Sequence, residues 1–183
     1  NGEFPTRISF EEALAIIDSM AAAAVLPAQD VMLARALGRV LAQDLTAPID
    51  LPPFDNAAMD GFAVRAVDLS DGVSLRLVGE QFAGPVSARA PLGEGECLRI
   101  TTGAVMPAGA DTVVIKENCE VAGAQVCVLA APSPGANVRR AAEDVRRGER
   151  VLEAGRVLSP AALGLAAALG EPRLRVHGKP TVA

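Results

Sequence analysis

The sequence has no Trp, no Tyr and only five Phe among its 183 residues. This scarcity argues against a single-stranded nucleic-acid surface, where each base stacked on an aromatic ring contributes about 1–3 kcal/mol. The formal net charge of -5 also repels phosphate backbones. Both properties predict that nucleic acid is not a partner, and an anionic ligand would need a local basic cluster or a divalent cation.

Metal-binding residue types are also few. Three cysteines lack any CxxC pairing, and the single histidine, His177, lies far from them in the sequence. The pattern predicts buried free thiols in a reducing cytoplasm rather than a zinc site or disulfides. No apolar run approaches the ~20 residues that a membrane span requires, so we expect no membrane association. Half of the residues are hydrophobic, enough to form a core.

Helical signals occur near both ends of the chain. Ser9 and Glu12 form a capping-box pattern before apolar residues at helical spacing, and Pro27 ends that helix. A second helix is predicted over 32–42. A third opens at Ser159-Pro160, with an N-cap Ser and Pro at the first position, and Gly170 at its C-terminal cap.

Between these helices the sequence is typical of short strands. Apolar runs lie between turn signals at 61–67, 74–78, 96–101, 112–117 and 125–129. Such spacing favours a compact antiparallel β-domain or small barrel. A further strand is predicted at 173–177, and residues 180–183 look like the lead-in to another strand. The order predicts an α+β fold, in which a β-rich domain is inserted into a discontinuous, mainly helical domain.

Three segments carry polar groups suited to chemistry. Residues 53–62, PFDNAAMDGF, place Asp60 before a glycine at a turn, where its carboxylate could bind Mg²⁺ or accept a proton. The alternative is that Asp55 and Asn56 only form turn hydrogen bonds.

The second segment, residues 99–111, reads RITTGAVMPAGAD. Its hydroxyls and backbone N–H groups suit an oxyanion, although it lacks the P-loop ending and could be an ordinary exit from a strand. The third, residues 135–149, reads GANVRRAAEDVRRGE. Its arginines match phosphate-like oxyanions bidentately. Equally, they could form solvated ion pairs with the neighbouring acids.

The order and spacing of these segments resemble the MoeA family, the molybdopterin molybdenumtransferases, whose relatives include the gephyrin E domain. That family typically shows P-x-F-D-N-S-A-M-D-G-Y-A, then R-I-x-T-G-A-x-x-P, then N-x-R-x-x-G-E-D. The resemblance extends from about Ser9 to the end of the chain. The departures are Ala57 for Ser, Phe62 for Tyr and Ala142 for Gly.

The resemblance implies a homodimer of four-domain chains that inserts molybdenum from molybdate into adenylated molybdopterin, with release of AMP and with Mg²⁺ involved. Residues 7–46 plus 147–178 would form the discontinuous dimerisation domain, and residues 47–146 the inserted β-rich domain. A C-terminal α/β pterin-binding domain and a β-barrel domain are expected beyond Ala183. The first helix is expected to pack against that α/β domain.

By the same resemblance, Asp60, Thr102 and Asp144 are the expected catalytic residues, and Arg139 and Arg140 the expected substrate-binding residues. We expect Asp60 and Asp144 to orient a metal or a hydrolytic water, and Thr102 to donate a hydrogen bond to an oxyanion. Metal ligands are not assigned. Molybdopterin adenylyltransferase and downstream cofactor-handling proteins are expected partners. The alternative is a non-catalytic scaffold module for dimerisation and partner docking, and this chain alone is expected to be inactive.

Overall fold

The computed structural model describes residues 7–24, 26–85 and 90–180. It contains two α-helices, α1 (Phe10–Ala23) and α2 (Pro160–Ala168). The strands, in chain order, are β1 (Ala28–Met32), β2 (Leu45–Thr46), β3 (Asn56–Ala57), β4 (Gly61–Val64), β5 (Ser74–Gln81), β6 (Glu96–Ile100), β7 (Thr112–Ile115), β8 (Cys119–Ala122), β9 (Gln125–Val128), β10 (Val138–Arg139), β11 (Arg150–Leu152) and β12 (Arg173–His177). Residues 181–183, part of the proposed strand lead-in, lie outside the described residues. No described helix has the length and apolar character needed to cross a membrane.

The chain divides into two compact units. Unit 1 comprises Asn1–Thr46 and Arg150–Ala183, and unit 2 comprises Ala47–Glu149. In unit 1, β1 pairs with β12 and β2 pairs with β11, both antiparallel. Helix α2 lies over this core through Ala162 and Ala166, which pack with buried Leu41, Leu158 and Val176. The capping predictions are confirmed, because Ser159 accepts the N–H of Ala162 and Pro160 occupies the first turn.

Helix α1 begins at the predicted capping box. The Ser9 hydroxyl accepts the N–H of Glu12, and the Glu12 carboxylate accepts the N–H of Ser9. The helix buries none of its residues within the described chain. Its apolar side chains are exposed, with Phe10 at 76% and Ile17 at 60%. The capping box and the acidic residues of the first turn therefore stabilise this helix. No part of the described chain covers its apolar face.

The predicted α+β fold with a mainly helical discontinuous domain is wrong. The described chain is mostly β, and unit 1 itself contains four strands beside its two helices. The error lies largely in the second helix predicted over 32–42. There the chain leaves β1 at Met32, forms a single 3₁₀ turn at Leu33–Arg35, turns at a left-handed Gly38 with φ 69°, and makes isolated bridges from Val40 to Val157 and from Leu41 to Val176. A short apolar run fits either a helix or a strand, and pairing with the distant β12 decided the outcome.

Unit 2 is built on a six-stranded sheet in the order β7-β4-β6-β5-β9-β8. The five strands predicted for this region are present, and β8 is an addition to them. The pairings are antiparallel except that of β5 with β6, which is parallel. Two apolar clusters fill the unit, one around Leu98 and Val113 and the other around Phe62 and Val126. The short strands β3 and β10 pair antiparallel outside this sheet.

The three cysteines are free thiols. Cys97 is fully buried, and Cys119 and Cys127 are partly buried. Burial raises the pKa of Cys97 to about 12 and that of Cys119 to about 11. Both thiols therefore remain protonated and poorly nucleophilic at neutral pH, and of the predicted buried free thiols only Cys97 is fully buried.

Candidate active site

Asp60 and Thr102 form a directly bonded pair on unit 2. Asp60 lies in the bend before β4, and Thr102 in the turn after β6, which is the neighbour of β4 in the sheet. Asp60 Oδ1 accepts the backbone N–H of Thr102 at 2.9 Å and its hydroxyl at 3.0 Å. These bonds, the backbone one first, lower the pKa of Asp60 below its ordinary value. Asp60 is therefore an anchored carboxylate at neutral pH.

The glycine after Asp60 is required by close packing. A Cβ built on Gly61 would lie 2.0 Å from the carbonyl oxygen of Val114, on the adjacent strand β7. The φ of Gly61 is not in the left-handed region, so the residue does not serve the turn conformation that the sequence suggested. Its missing side chain lets β7 approach, and that approach fixes the backbone from which Asp60 projects.

A cavity of about 310 Å³ opens beside this carboxylate. Two cationic side chains, Arg99 of β6 and Lys116 after β7, line it together with Asp60 and apolar residues of the sheet. Lys116 Nζ lies 3.9 Å from Asp60 Oδ2, the oxygen that Thr102 leaves free. Both cations also favour the ionised form of Asp60, although less strongly than Thr102 does. The site therefore presents one carboxylate oxygen and two cations to the same space.

Sequence reasoning assigned no role to Arg99 or Lys116. Arg99 lies inside the second motif, and it is the register partner of Phe62 across β4 and β6. Lys116 lies 56 positions beyond Asp60, and its N–H donates to the Asp60 carbonyl at 3.1 Å. The short run at 112–117 between turn signals predicted a β element but gave no sign that its end returns to Asp60. Only the pairing of β4 with β7 brings the two together.

The third motif forms its own ion pairs. Arg139 Nη2 donates to both carboxylate oxygens of Asp144 at 2.7 Å. Arg140 Nη1 donates to Asp55 Oδ2 at 2.7 Å, and Asp55 Oδ1 accepts the N–H of Ala141 at 2.7 Å. The Ala141 N–H and then Arg140 lower the pKa of Asp55. Both arginines expected to bind substrate therefore form ion pairs. The partner of Arg139 is a neighbouring acid, as in the ion-pair alternative, whereas the partner of Arg140 lies in the first motif.

The first motif connects the other two. Ala57 exchanges backbone hydrogen bonds with Ala104 and Gly103 of the second motif, at 2.9 and 2.8 Å. Through β3 it pairs with Val138 of β10 in the third. The predicted site residues consequently fall into two groups on one unit, Asp60 with Thr102 beside the cavity, and Arg139, Arg140 and Asp144 along the β3–β10 side. The catalytic and binding roles given to these five residues stay predictions.

The described residues do not form a Mg²⁺ site by themselves. They contain no group of three or more Asp, Glu, His or Cys that could hold a metal ion. Each carboxylate oxygen of Asp55 and Asp144 accepts one N–H donor, whereas the nearest cation to Asp60 Oδ2 is Lys116 Nζ at 3.9 Å. The described residues therefore supply no assembled set of ligands for Mg²⁺.

The three departures from the motif pattern have clear structural settings. Ala57 is fully buried where the first motif contacts the second, and Phe62 is buried in the apolar cluster that contains Val126. Ala142 has a φ of 60°, the left-handed conformation that glycine adopts without strain. The departure at this position therefore has a cost, because the alanine is held in a conformation unfavourable to it.

Comparison with known proteins assigns this arrangement to a family. The family model described as "MoeA N-terminal region (domain I and II)" matches residues 8–170. A molybdopterin molybdenumtransferase of Haemophilus influenzae is 41% identical over 147 residues, covering 79% of this chain and 36% of that protein. A molybdopterin molybdenumtransferase 2 of Mycobacterium tuberculosis is 42% identical over 154 residues, covering 80% and 37% respectively.

The solved structures agree. The molybdopterin biosynthesis MoeA protein of Pyrococcus horikoshii OT3 superposes with a TM-score of 0.79 at 36% identity, covering 84% of this chain and 42% of that one. The chain belongs to the MoeA family, over the region that contains its domains I and II. It spans less than half the length of these relatives.

Proposed function

We propose that this chain is part of an enzyme of molybdenum cofactor biosynthesis that inserts molybdenum from molybdate into adenylated molybdopterin. Support comes from membership of the MoeA family and from relatives named molybdopterin molybdenumtransferase. The observation that carries a catalytic role is the Asp60 carboxylate, which lines the cavity and is anchored by Thr102 through Oδ1 alone.

The chemistry proposed for this unit is the release of AMP. Water adds to a phosphorus of the phosphoanhydride, the bond from that phosphorus to the bridging oxygen breaks, and the bridging oxygen leaves with the other phosphate. Asp60 is ionised, so Oδ2 can accept a hydrogen bond from the attacking water and orient it. Its lowered pKa makes it a weak base, which favours orientation over complete removal of the proton. Thr102 holds the carboxylate in place.

The test is cofactor formation by a protein that carries this chain together with the remaining domains of the family. We expect Asp60→Asn to lower turnover at least about 100-fold, the loss typical of removing a group that acts in the transition state. Asp144→Asn should lower it as well, because Arg139 would lose its partner. Glu94→Gln, at an exposed turn position of the same unit, is the control. Near-normal turnover in both aspartate variants would overturn the catalytic role.

The chain alone is expected to give no turnover, because it spans less than half of its catalytic relatives. Measurable cofactor formation by the 183-residue chain would contradict that expectation.

A second candidate function is dimerisation and partner docking without catalysis. The observation that favours it is helix α1, whose apolar residues are exposed along its length. A contiguous apolar surface on a stable protein marks an interaction site. We propose a homodimer in which α1 of one copy is covered by the other copy, in place of the α/β domain against which the resemblance predicted that this helix packs. Docking of molybdopterin adenylyltransferase would be an additional use of the same unit, and a pull-down with α1 variants would test it.

A further inference from the structure

Arg99 and Lys116 are the two cations that line the cavity beside Asp60, and the carboxylate of Asp60 is anchored by Thr102 instead of by either cation. Lys116 Nζ is 3.9 Å from Asp60 Oδ2, beyond hydrogen-bond distance. Within the described part of the chain, Arg99 takes part in none of the ion pairs closer than 4 Å. Its register partner on β5 is the acid Glu80. Glu80 is not among the residues that line the cavity, so the two cations and one carboxylate of the lining leave a formal excess of one positive charge in a protein that is acidic overall.

This charge selects the class of ligand. Arginine presents a fork of N–H donors that matches phosphate oxygens, and lysine adds a compact charge with three donors. The potential of the whole molecule repels anions, so only a local pair of cations could retain one. Arg139 and Arg140, by contrast, already have carboxylate partners at 2.7 Å.

The size and lining of the cavity favour an organic phosphate over a bare ion. Its volume of about 310 Å³ lies at the lower end of the range for small-molecule pockets. Leu77, Val121 and Phe62 contribute apolar surface to the lining. A tetrahedral inorganic ion has no apolar face to match this surface, whereas a phosphate ester has both parts.

We propose that this cavity is a phosphate-ester subsite, in which Arg99 and Lys116 bind the phosphate oxygens and the organic group lies against Leu77 and Val121. The proposal rests on the proposed function and refines it, because it assigns the phosphate-bearing part of the substrate to unit 2. It also places the phosphorus next to Asp60 Oδ2, the oxygen proposed to orient the water. Neither cation was among the predicted binding residues.

The chain has only two lysines, Lys116 and Lys179, and this gives an internal control. The purified chain is labelled with an amine-reactive reagent, and the labelling rate at each lysine is followed by mass spectrometry with AMP or pyrophosphate present. At an AMP concentration about ten times its Kd, we expect AMP to slow labelling of Lys116 about tenfold. Lys179, an exposed residue of unit 1, should label at an unchanged rate. Equal rates at Lys116 with and without AMP would overturn the proposal.

Titration calorimetry distinguishes a phosphate ester from an inorganic anion as the ligand of the cavity. AMP is expected to bind more tightly than inorganic phosphate or molybdate, and equal or weaker binding of AMP would rule out the ester assignment. Arg99→Gln and Lys116→Gln should each weaken AMP binding about tenfold or more, the loss of one charged hydrogen-bond partner. Arg156→Gln, at an exposed position of unit 1, and Lys179→Gln should leave it unchanged. Thermal unfolding checks that each variant folds.

These measurements require no turnover, so they separate this inference from the proposed function. If Asp60→Asn abolishes cofactor formation but the chain does not bind AMP, the proposed function stands and the phosphate-ester subsite is ruled out.

Discussion

Thr102 shows most directly how a single side chain prepares the candidate site. Its hydroxyl has one hydrogen, which it donates to Asp60 Oδ1 at 3.0 Å, so the same hydrogen is not available to an oxyanion in this state. Because this bond lowers the pKa of Asp60, Thr102→Val should raise that pKa while the backbone N–H bond remains. A carbon-13 NMR titration of the Asp60 carboxyl measures the change. Thr102→Ser should restore the original value, and an unchanged titration in Thr102→Val would contradict the bond.

Ala142 offers a residue-scale test of strain. A left-handed conformation costs an L-residue roughly 1–2 kcal/mol, while glycine loses about 0.4–1 kcal/mol through its greater freedom when unfolded. With φ at 60°, Ala142→Gly should raise the free energy of unfolding by about 0.5–1 kcal/mol. Urea unfolding followed by circular dichroism measures it, since no Trp is available. Ala141→Gly is the matched control and should be destabilising; stabilisation by both would point to another cause.

The sequence indicated the motifs of the candidate site better than the contacts that join them. Asp60, Thr102 and Asp144 lie in recognisable motifs, and backbone bonds join those motifs on unit 2. The sequence did not reveal the contacts between residues that are distant in the chain. The contact of Lys116 with Asp60 depends on the β4–β7 pairing, and Arg140 reaches Asp55 across 85 positions. Local patterns do not encode such pairings, because sheet register is decided by burial across strands that are distant in the chain.

Elements were predictable where their signals are local. The capping box of α1 and the Ser-Pro start of α2 are present as predicted, because cap hydrogen bonds involve residues three positions apart. The helix predicted over 32–42 fails for the opposite reason. Its apolar spacing fits a helix, yet Met32 pairs with Arg173 of β12 and Leu41 bridges to Val176, and Gly38 turns the chain at φ 69°.

Helix α1 and the core of unit 1 should differ sharply in their effect on stability. Leu14 is 48% exposed in α1, whereas Leu158 is 1% exposed in the core. In dilute solution, where association is absent, Leu14→Ala should change the free energy of unfolding by less than about 0.5 kcal/mol. Leu158→Ala removes the same atoms and should cost about 2–5 kcal/mol. Similar losses in the two variants, measured by urea unfolding, would mean that α1 is packed within the chain.

For the molecule as a whole, acid stability follows from its aspartates. The folded chain lowers the pKa of Asp44, Asp55 and Asp60 below the ordinary value of 3.8. Each contributes stability above that value and loses it as pH falls through the lower, folded pKa. Stability should therefore decline with acid mainly below pH 3.8.

The Asp55→Asn variant tests this dependence by urea unfolding at a series of pH values. It should be less stable than the parent chain at pH ~7, because the ionised Asp55 stabilises the folded state there. The two chains should become equally stable once the Asp55 carboxyl of the parent is protonated in both the folded and the unfolded state. A stability difference that persists at the lowest pH would show that the Asp55→Asn substitution is disruptive for reasons other than charge.

The association of whole chains should depend on α1. Phe10, Leu14, Ile17 and Ala21 recur at helical spacing on one face, and all are exposed in the chain taken alone. If a second copy covers this face, a charge placed within it must be buried without a partner, which is strongly unfavourable. Ile17→Glu should therefore convert a dimer to a monomer in sedimentation velocity, with at least a tenfold rise in the dimer Kd, about 1.4 kcal/mol.

Ser19→Glu adds the same charge to the opposite face of the helix and should leave the dimer intact. A parent chain that sediments as a monomer at high concentration, or a dimer unaffected by Ile17→Glu, would mean that the apolar face of α1 is covered by something other than a second copy.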